Sequence, residues 1–443
     1  MRKSMAVVIT LLVLFISANA PAQPAAADNA ALVYQKAAKL LREMPQDPQL
    51  FAQRARDVIN NGWSSKSNDL RALVIKNDQA ISEFKKGAEL EECDFGLGEK
   101  PRRTPGEKMP NFSDAVTLAR LTLMRARLFE QQKKWDPALD DYLAVLRLGY
   151  HCNRQRNHVL LSQMVGVIVQ KMVSKPLLDF IKRKDLTFKQ ASRLSAEMNS
   201  IRRGFSGLDK ALADEREFAR GVGELIMSFD EKGAYKREFL KEFNAREDEL
   251  FALLNKAYVR NNPGDFNKAI KELDEQLRKD IKYKQRFIPA LPFVGASPEE
   301  AGKIKDINAS MQDPKSALLA MPFYGAKVMA RYLAGIGISQ YSKVIPAHYI
   351  ARVDFDLLRT AAALRSYEIK NRELPDSLLA MTPDYLDVVP ADPFNYFRPV
   401  KYLRSKKEWC VYSFGPDRND DQAKIVHSGE PEKIEEKGDL IIR

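Results

Sequence analysis

Apolar residues recur every three or four positions from Asn29 to about Tyr341, and they alternate at every second position only past Val400. A three-to-four-residue period places side chains on one face of a helix, and a two-residue period places them on one face of a strand. The order of the two patterns therefore predicts a mainly α, multi-helix body followed by a small α+β module. Leu118, Leu121, Leu123, Met124, Leu128 and Phe129 make one buried helix face. The pattern resumes at Ala138, Leu139, Tyr142, Leu143, Val145 and Leu146, so the two runs form a helical hairpin. Asp136 reads as its N-cap, Pro137 as its first helical residue and Gly149 as its C-terminal stop. The Ala126, Trp135, Ala138, Tyr142 texture makes the body partly TPR-like, with one convincing copy of the unit where a repeat array needs three or more.

Further helices are expected over Val159–Lys182, Gly207–Phe229, Lys236–Arg260 and Asn267–Lys282, with a break at Asn262-Pro263-Gly264. Ser310–Tyr341 carries an apolar helix interrupted by Lys327 and Arg331, which suits a core helix better than a bilayer span. Pro- and Gly-rich loops are expected over Phe95–Asn111 and Phe287–Ser297.

The chain opens with Arg2 and Lys3, an uncharged run from Ala6 to Ala18, and small residues and prolines to Ala27. This is the layout of a secretory signal, with Ala20-Pro21-Ala22 as the exit and residues 1–22 as the signal peptide. An uncleaved inner-membrane anchor is the alternative. Residues 23–345 are then the helical body and 346–443 the C-terminal module, in a protein of the periplasm or cell envelope. Export leaves room for one disulfide among Cys93, Cys152 and Cys410, Cys93 with Cys152 being the pair within one helical region. Three small buried thiols is the other reading.

The net charge of +12 is unevenly spread. Residues 349–443 carry 15 basic and 17 acidic residues, whereas residues 1–348 carry 56 and 42. The basic runs Lys100-Pro101-Arg102-Arg103, Lys182-Arg183-Lys184 and Arg278 through Arg286 are scattered and interleaved with acids, unlike a nucleic-acid groove. Weak contact with an anionic membrane surface is the partner reading they permit, and no nucleic acid is expected.

Sequence signatures of catalysis are sparse. The chain has no G-x-S-x-G, H-E-x-x-H, Walker or C-x-x-C motif. His151, Cys152 and His158 lie close together without a nearby fourth ligand. Glu215, Glu217 and Glu224 share a helix with Arg216 and Arg220, a spacing that salt bridging on a solvated face explains. No catalytic residue or organic cofactor is assigned.

The last 95 residues carry the most information. A helix is expected over His348–Asn371, then a turn at Leu374-Pro375, a short helical turn at Pro383–Leu386 and a loop at Pro390–Phe394. Strands follow over Val400–Leu403, Trp409–Phe414 and Gly438–Ile442, which make a three-stranded antiparallel meander. Asp417-Arg418-Asn419-Asp420-Asp421 joins the last two. Acids at alternate positions can supply the oxygens a hard cation needs, but Gln422 and Ser428 stand where an EF-hand loop has Gly and Glu. An acidic surface turn is the competing explanation.

Leu374-Pro375, Asp392-Pro393-Phe394, Tyr402, Tyr412-Ser413-Phe414-Gly415-Pro416-Asp417 and Gly438-Asp439-Leu440 occur in the order in which similar motifs occur in the globular end of type II secretion major pseudopilins. The C-terminal module resembles that family, and the remainder resembles exported bacterial helical proteins without an assigned activity. The resemblance implies a pseudopilin-like module and a calcium loop, with Asp417, Asn419, Asp420 and Asp421 as candidate ligands. The N-terminus lacks the prepilin signature, which implies that the chain is not polymerised as a pilin. The expected function is a non-enzymatic helical scaffold or binding protein of the envelope with a protein partner. An envelope enzyme, hydrolase-like, with a site between body and module is the alternative.

Overall fold

The first helix starts where Asn29 can cap it. Its Oδ1 accepts from the Ala31 amide at 3.0 Å and from the Asp94 amide at 2.8 Å, while its Nδ2 donates to the Asp94 carbonyl at 2.8 Å. One side chain thus satisfies a helix end and straps a distant segment to it. The computed structural model describes residues 29–95, 112–154, 160–204, 208–226, 233–257, 344–405, 408–429 and 436–443, together with Glu272, Glu275, Ala330 and Ala334. The expected signal segment lies outside these residues. So do the basic runs at 100–103 and 278–286, the break at 262–264, the loop at 287–297, and nearly all of the expected loop at 95–111 and helices at 267–282 and 310–341.

The described residues fold as a mainly α body with a small C-terminal module of one helix and a three-stranded antiparallel sheet. The helices are α1 Ala30–Lys39, α2 Pro48–Asn61, α3 Asn68–Lys76, α4 Asp78–Glu89, α5 Phe112–Gln131, α6 Trp135–Asn153, α7 Leu160–Ile181, α8 Phe188–Arg203, α9 Leu208–Ile226, α10 Ala234–Ala257 and α11 Val344–Asn371. Asp47 caps α2, accepting from the Gln49 and Leu50 amides with Pro48 in the first turn, and Thr187 with Gln190 forms a capping box on α8. Among the described residues no helix is long and apolar enough to cross a membrane.

The α5–α6 hairpin forms as expected, but its ends are set by tertiary contacts. Lys134 occupies the N-cap position of α6 without a side-chain cap, and Asp136 instead accepts from Gln190 of α8 at 2.6 Å. Gly149 does not stop α6, which continues to Asn153. It lies where α6 crosses α7: a methyl group on Gly149 would come within 3.4 Å of the Gly166 carbonyl oxygen, and one on Gly166 within 2.2 Å of Asn153 Oδ1. The two glycines let the helix backbones approach, which is a packing requirement rather than a terminus.

Two apolar clusters run through the fold. The first joins α1–α8, with Tyr142, Phe84, Phe180, Leu118 and Met124 at its centre. The second joins Leu160, α9, α10, Ala330, Ala334 and the sheet. Helix α11 belongs to both: Phe355, Leu358, Ala361 and Ala362 enter the first, and Val353, Leu357, Ala363 and Leu364 the second. A helix walled by apolar cores on two sides loses the polar face of an ordinary surface helix. Buried ion pairs cross-link the body. Arg125 of α5 donates from Nε and Nη2 to Asp141 of α6, both at 2.9 Å, and from Nη1 to Asp78 of α4 at 2.6 Å.

In the module, β1 (Ala391–Asp392) pairs antiparallel with β2 (Arg398–Pro399), where a plain loop was expected. Strand β3 (Lys401–Arg404) pairs with β4 (Trp409–Ser413), and β4 with β5 (Leu440–Ile442), in the order β3-β4-β5. Tyr402 faces Val411 across the first pair and Tyr412 faces Ile441 across the second. The short helical turn is displaced from the expected 383–386 to a 3₁₀ turn at Leu378–Met381, where Leu378 and Met381 are buried.

Helix α8 holds the module against the body. The Ser195 hydroxyl and Asn199 amide both donate to the Tyr385 carbonyl, at 2.7 and 2.9 Å. Arg359 of α11 is only 1% exposed; it donates to Asn199 Oδ1 at 2.8 Å and pairs with Asp387 and Asp356. Lys171 of α7 donates to the Gly429 carbonyl at 2.6 Å.

Candidate functional site

The acidic turn between β4 and β5 is built on two glycines. Gly415 has φ +68° and Gly438 φ +123°, conformations that residues with a Cβ rarely adopt. A Cβ on Gly415 would lie 2.3 Å from the Gly438 carbonyl oxygen. This crossing brings the start of the turn against the start of β5. Asp439 follows Gly438 into the interior, and its main chain bonds the Ile425 carbonyl and the His427 amide, both at 2.9 Å.

The four expected ligands are not equivalent. Asp417 accepts from the Asn419 amide at 3.2 Å and from the Gly438 amide at 3.1 Å, so both its oxygens serve the turn's own backbone. Asn419 is exposed at the tip. Asp420 Oδ1 accepts from the Tyr412 hydroxyl and the Gln422 amide, each at 3.0 Å. The Asp421 amide makes a long contact of 3.4 Å to Asp439 Oδ1, while its own Oδ2 is buried without a hydrogen-bond partner among the described residues. The structure therefore brings Asp420 and Asp421 together around Asp439, and aims Asp417 elsewhere. Among the described residues no three His, Cys, Asp or Glu side chains form a group able to hold a metal ion as they stand.

Asp439 is the member that residue spacing missed. It is fully buried, and burial raises its carboxyl to about 6; the amides of Ala423 and Asp421 oppose this, and the charges of Asp421 and Asp420 add to it. Burial, then the hydrogen bond and charge of Asp420, also raise the Tyr412 hydroxyl, which stays protonated and donates. The signal for Asp439 was its place after Gly438, the residue that turns it inward.

Behind the turn, Asp392 supplies the anchor. Its Oδ1 accepts from the Phe394 amide at 2.9 Å and the Ser413 hydroxyl at 2.7 Å, and its Oδ2 from the Phe414 amide at 3.0 Å. It is fully buried, and burial raises its carboxyl against the pull of these donors. The Asp-Pro-Phe and Tyr-Ser-Phe-Gly segments are thus two halves of one device: the aspartate of the first closes the end of the strand that carries the second.

The other sequence candidates fall into structural roles. His151 Nδ1 is 2.8 Å from the Tyr34 hydroxyl, and the ring also bonds the Leu90 carbonyl; a neutral imidazole accepting from Tyr34 satisfies both. Burial brings its pKa down to about 4. Burial pushes the Cys152 thiol up, away from the thiolate a nucleophile needs. His158 lies outside the described residues. No disulfide joins Cys93 to Cys152, and Cys410 likewise keeps its thiol. Glu91, Glu92, Cys93, His151 and Arg154 line a small cavity of about 220 Å³ at this corner.

On α9, Glu217 pairs with Arg220 at 3.2 Å as the helical spacing predicts, whereas Arg216 and Arg220 both reach Asp248 of α10 at 2.6 Å. Glu215 turns inward instead and accepts from the Leu160 amide of α7 at 3.3 Å. The side chain of Glu224 lies outside those described. No protein-family model, curated protein or solved structure matches the chain.

Proposed function

We propose that the chain is an exported, non-enzymatic helical scaffold or binding protein of the bacterial cell envelope. Its C-terminal module, similar to the globular end of major pseudopilins, engages a protein partner through the acidic turn, which calcium would brace. The observation that carries this reading is the partnerless Oδ2 of Asp421 beside Asp439 and the exposed Asp420. A carboxylate oxygen left without a donor beside two further carboxylates is an electrostatic deficit that a cation or a basic side chain of a partner relieves. Asp417 and Asn419 shape the turn, while Asp420 and Asp421 present charge. Export is supported by the basic start, short apolar run and small-residue exit of residues 1–27.

The test is crosslinking in native envelopes followed by affinity purification of the full chain. A protein recovered reproducibly with the wild type and lost with a D420N/D421N double variant is the expected result. Recovery of the bare chain, or of the same partner with both forms, overturns the docking role. Isothermal titration of calcium into the full chain addresses the ion: heat that disappears in D421N is expected, and none at millimolar calcium removes calcium from the reading.

A further inference from the structure

Two consecutive aromatic residues stand in solvent on the turn between β1 and β2: Tyr396 is 65% and Phe397 37% exposed. Both have left-handed backbone, with φ +52° and +56°, which bulky side chains rarely adopt. The turn is fixed in that form by its own main chain. The Phe397 amide donates to the Asp392 carbonyl at 2.9 Å, and the Val400 amide to the Pro390 carbonyl at 3.0 Å. Arg418 lies over the Tyr396 ring with its Cζ 4.1 Å from the centre, and its Nε donates to the Phe394 carbonyl at 3.3 Å. Its Nη2 is buried with no hydrogen-bond partner among the described residues, so contact with the ring stands in for a hydrogen bond. Strained backbone and a committed arginine thus keep two apolar rings in water, which folding alone does not require.

The chain that follows the rings is basic. Arg398, Lys401 and Arg404 are the charged residues from Pro393 to Ser405, and Lys406-Lys407 extend the run in sequence. Arg398 and Lys401 are exposed and form no ion pair among the described residues. Successive strand residues face opposite ways. Tyr402 and Arg404 turn to the 374–376 segment, donating to the Pro375 carbonyl at 3.1 Å and the Leu374 carbonyl at 2.9 Å. Lys401 and Leu403 therefore occupy the other face of β3, where Leu403 is 44% exposed. Of the acids on neighbouring segments, Asp376 pairs with Arg404, and Asp417 spends both oxygens on the Asn419 and Gly438 amides. We propose that the β1–β2 tip and this face of β3 dock the chain on a bilayer of anionic phospholipid. Tyr396 and Phe397 enter the headgroup layer, and Arg398 and Lys401 meet its phosphates.

The chemistry of these residues favours a bilayer interface over a folded partner. Aromatic rings flanked by bases settle at the headgroup level without needing a shaped receptor, and an anionic surface attracts each base. A protein partner would have to bring a pocket for each ring. The surface is separate from the basic runs at 100–103, 182–184 and 278–286, and it does not rest on the acidic turn or on calcium.

Fluorescence quenching on the full chain, without added calcium, tests the docking at the tip itself. Vesicles carrying brominated phosphatidylglycerol should quench the emission that Tyr396→Trp adds to that of Trp63, Trp135 and Trp409, and vesicles of brominated phosphatidylcholine alone should not. R398Q/K401Q in that background should weaken the titration about twenty-five-fold, each base being worth about fivefold at an anionic surface. Raised salt should weaken it as well, by screening. Equal quenching by the neutral vesicles, which the apolar run at 6–18 alone would give, or an unchanged titration in R398Q/K401Q, overturns the proposal. Should Y396W fail to fold, hydrogen–deuterium exchange of the unaltered chain decides: slower exchange over 391–404 on anionic vesicles only is expected, and no change there overturns the docking. Protection of the same peptides by polyglutamate but not by vesicles assigns the surface to an acidic protein and overturns the bilayer.

Discussion

The α-helical body and the C-terminal module solve the same problem with different groups. In the body, each helix bonds its own backbone, so buried polar side chains are left to join one helix to the next, as Arg125 joins α4, α5 and α6. In the module, strands of two to five residues leave backbone amides over, and buried aspartates take them up. Asp392 and Asp439 each accept from two main-chain amides, whereas Asp141 accepts from the Arg125 side chain. The same residue type is a cross-link between helices in one region and a substitute for missing ladder partners in the other.

The largest effect is expected from breaking the body's cross-link. Arg125→Ala leaves Asp141, itself fully buried, without its bidentate partner, and Lys85 at 3.1 Å offers only a point charge in exchange. Removing one member of a buried pair costs about 3–5 kcal/mol. Chemical denaturation should show that loss for the whole helical body, with exchange protection falling in α4, α5 and α6 together. A loss below about 1 kcal/mol, the range of exposed pairs, would show that Asp141 is solvated and that the body does not depend on this link.

Asp392→Ala tests the other half of the comparison and should cost less in total but act more locally. Two amides and the Ser413 hydroxyl lose their acceptor inside the module. With each buried donor worth about 1–3 kcal/mol and some reached by water after the change, a loss of about 2–4 kcal/mol follows. Protection should collapse over 391–443 while α1–α6 keep theirs. Asp392→Asn, which retains one acceptor oxygen, should recover part of it. A variant that unfolds body and module in one step would show that α11, shared by both apolar clusters, makes them a single cooperative unit.

Periodicity made the elements readable, and tertiary contact hid what they do. Apolar spacing places α5–α7, α9–α11 and the three strands of the meander to within a few residues, whereas α1–α4 and α8 show only as part of the general helical period that begins at Asn29. Gly149 and Asp136 carried the usual signals of a helix stop and a helix cap. Each was overridden by a residue far away in sequence, Gly166 in one case and Gln190 in the other. The candidate site was half visible for the same reason. Asp417, Asn419, Asp420 and Asp421 are contiguous and were found by spacing, but Asp439 and Asp392 join the turn only through chain reversals that Gly438 and the β1–β2 pair create. Glu215 was grouped with Glu217 by sequence, although it turns inward and accepts from the Leu160 amide of α7.

The smallest expected effect separates the two regions by the sign of a pH dependence. In the α1–α4 part of the body, acids are held charged by their partners: hydrogen bonds from Lys36 and Lys86 lower Glu83, and one from Arg54 lowers Asp69. A depressed carboxylate contributes stability above its ordinary pKa and loses it as pH falls through the folded value, so these pairs weaken only on acidification. Asp439 in the module is shifted the other way, from 3.8 to about 6, chiefly by burial. Between those two values the folded module holds a proton that the unfolded chain has released, and its stability declines as pH rises toward neutrality. On the order of 1 kcal/mol is expected over this interval. Exchange protection of 409–413 and 440–442 should therefore drop from about pH 4 to pH 6, while that of α3 and α4 holds or improves over the same interval. Parallel curves would mean that Asp439 is bound to water like a surface acid, and that the backbone amides of Asp421 and Ala423 are not what keeps it in place.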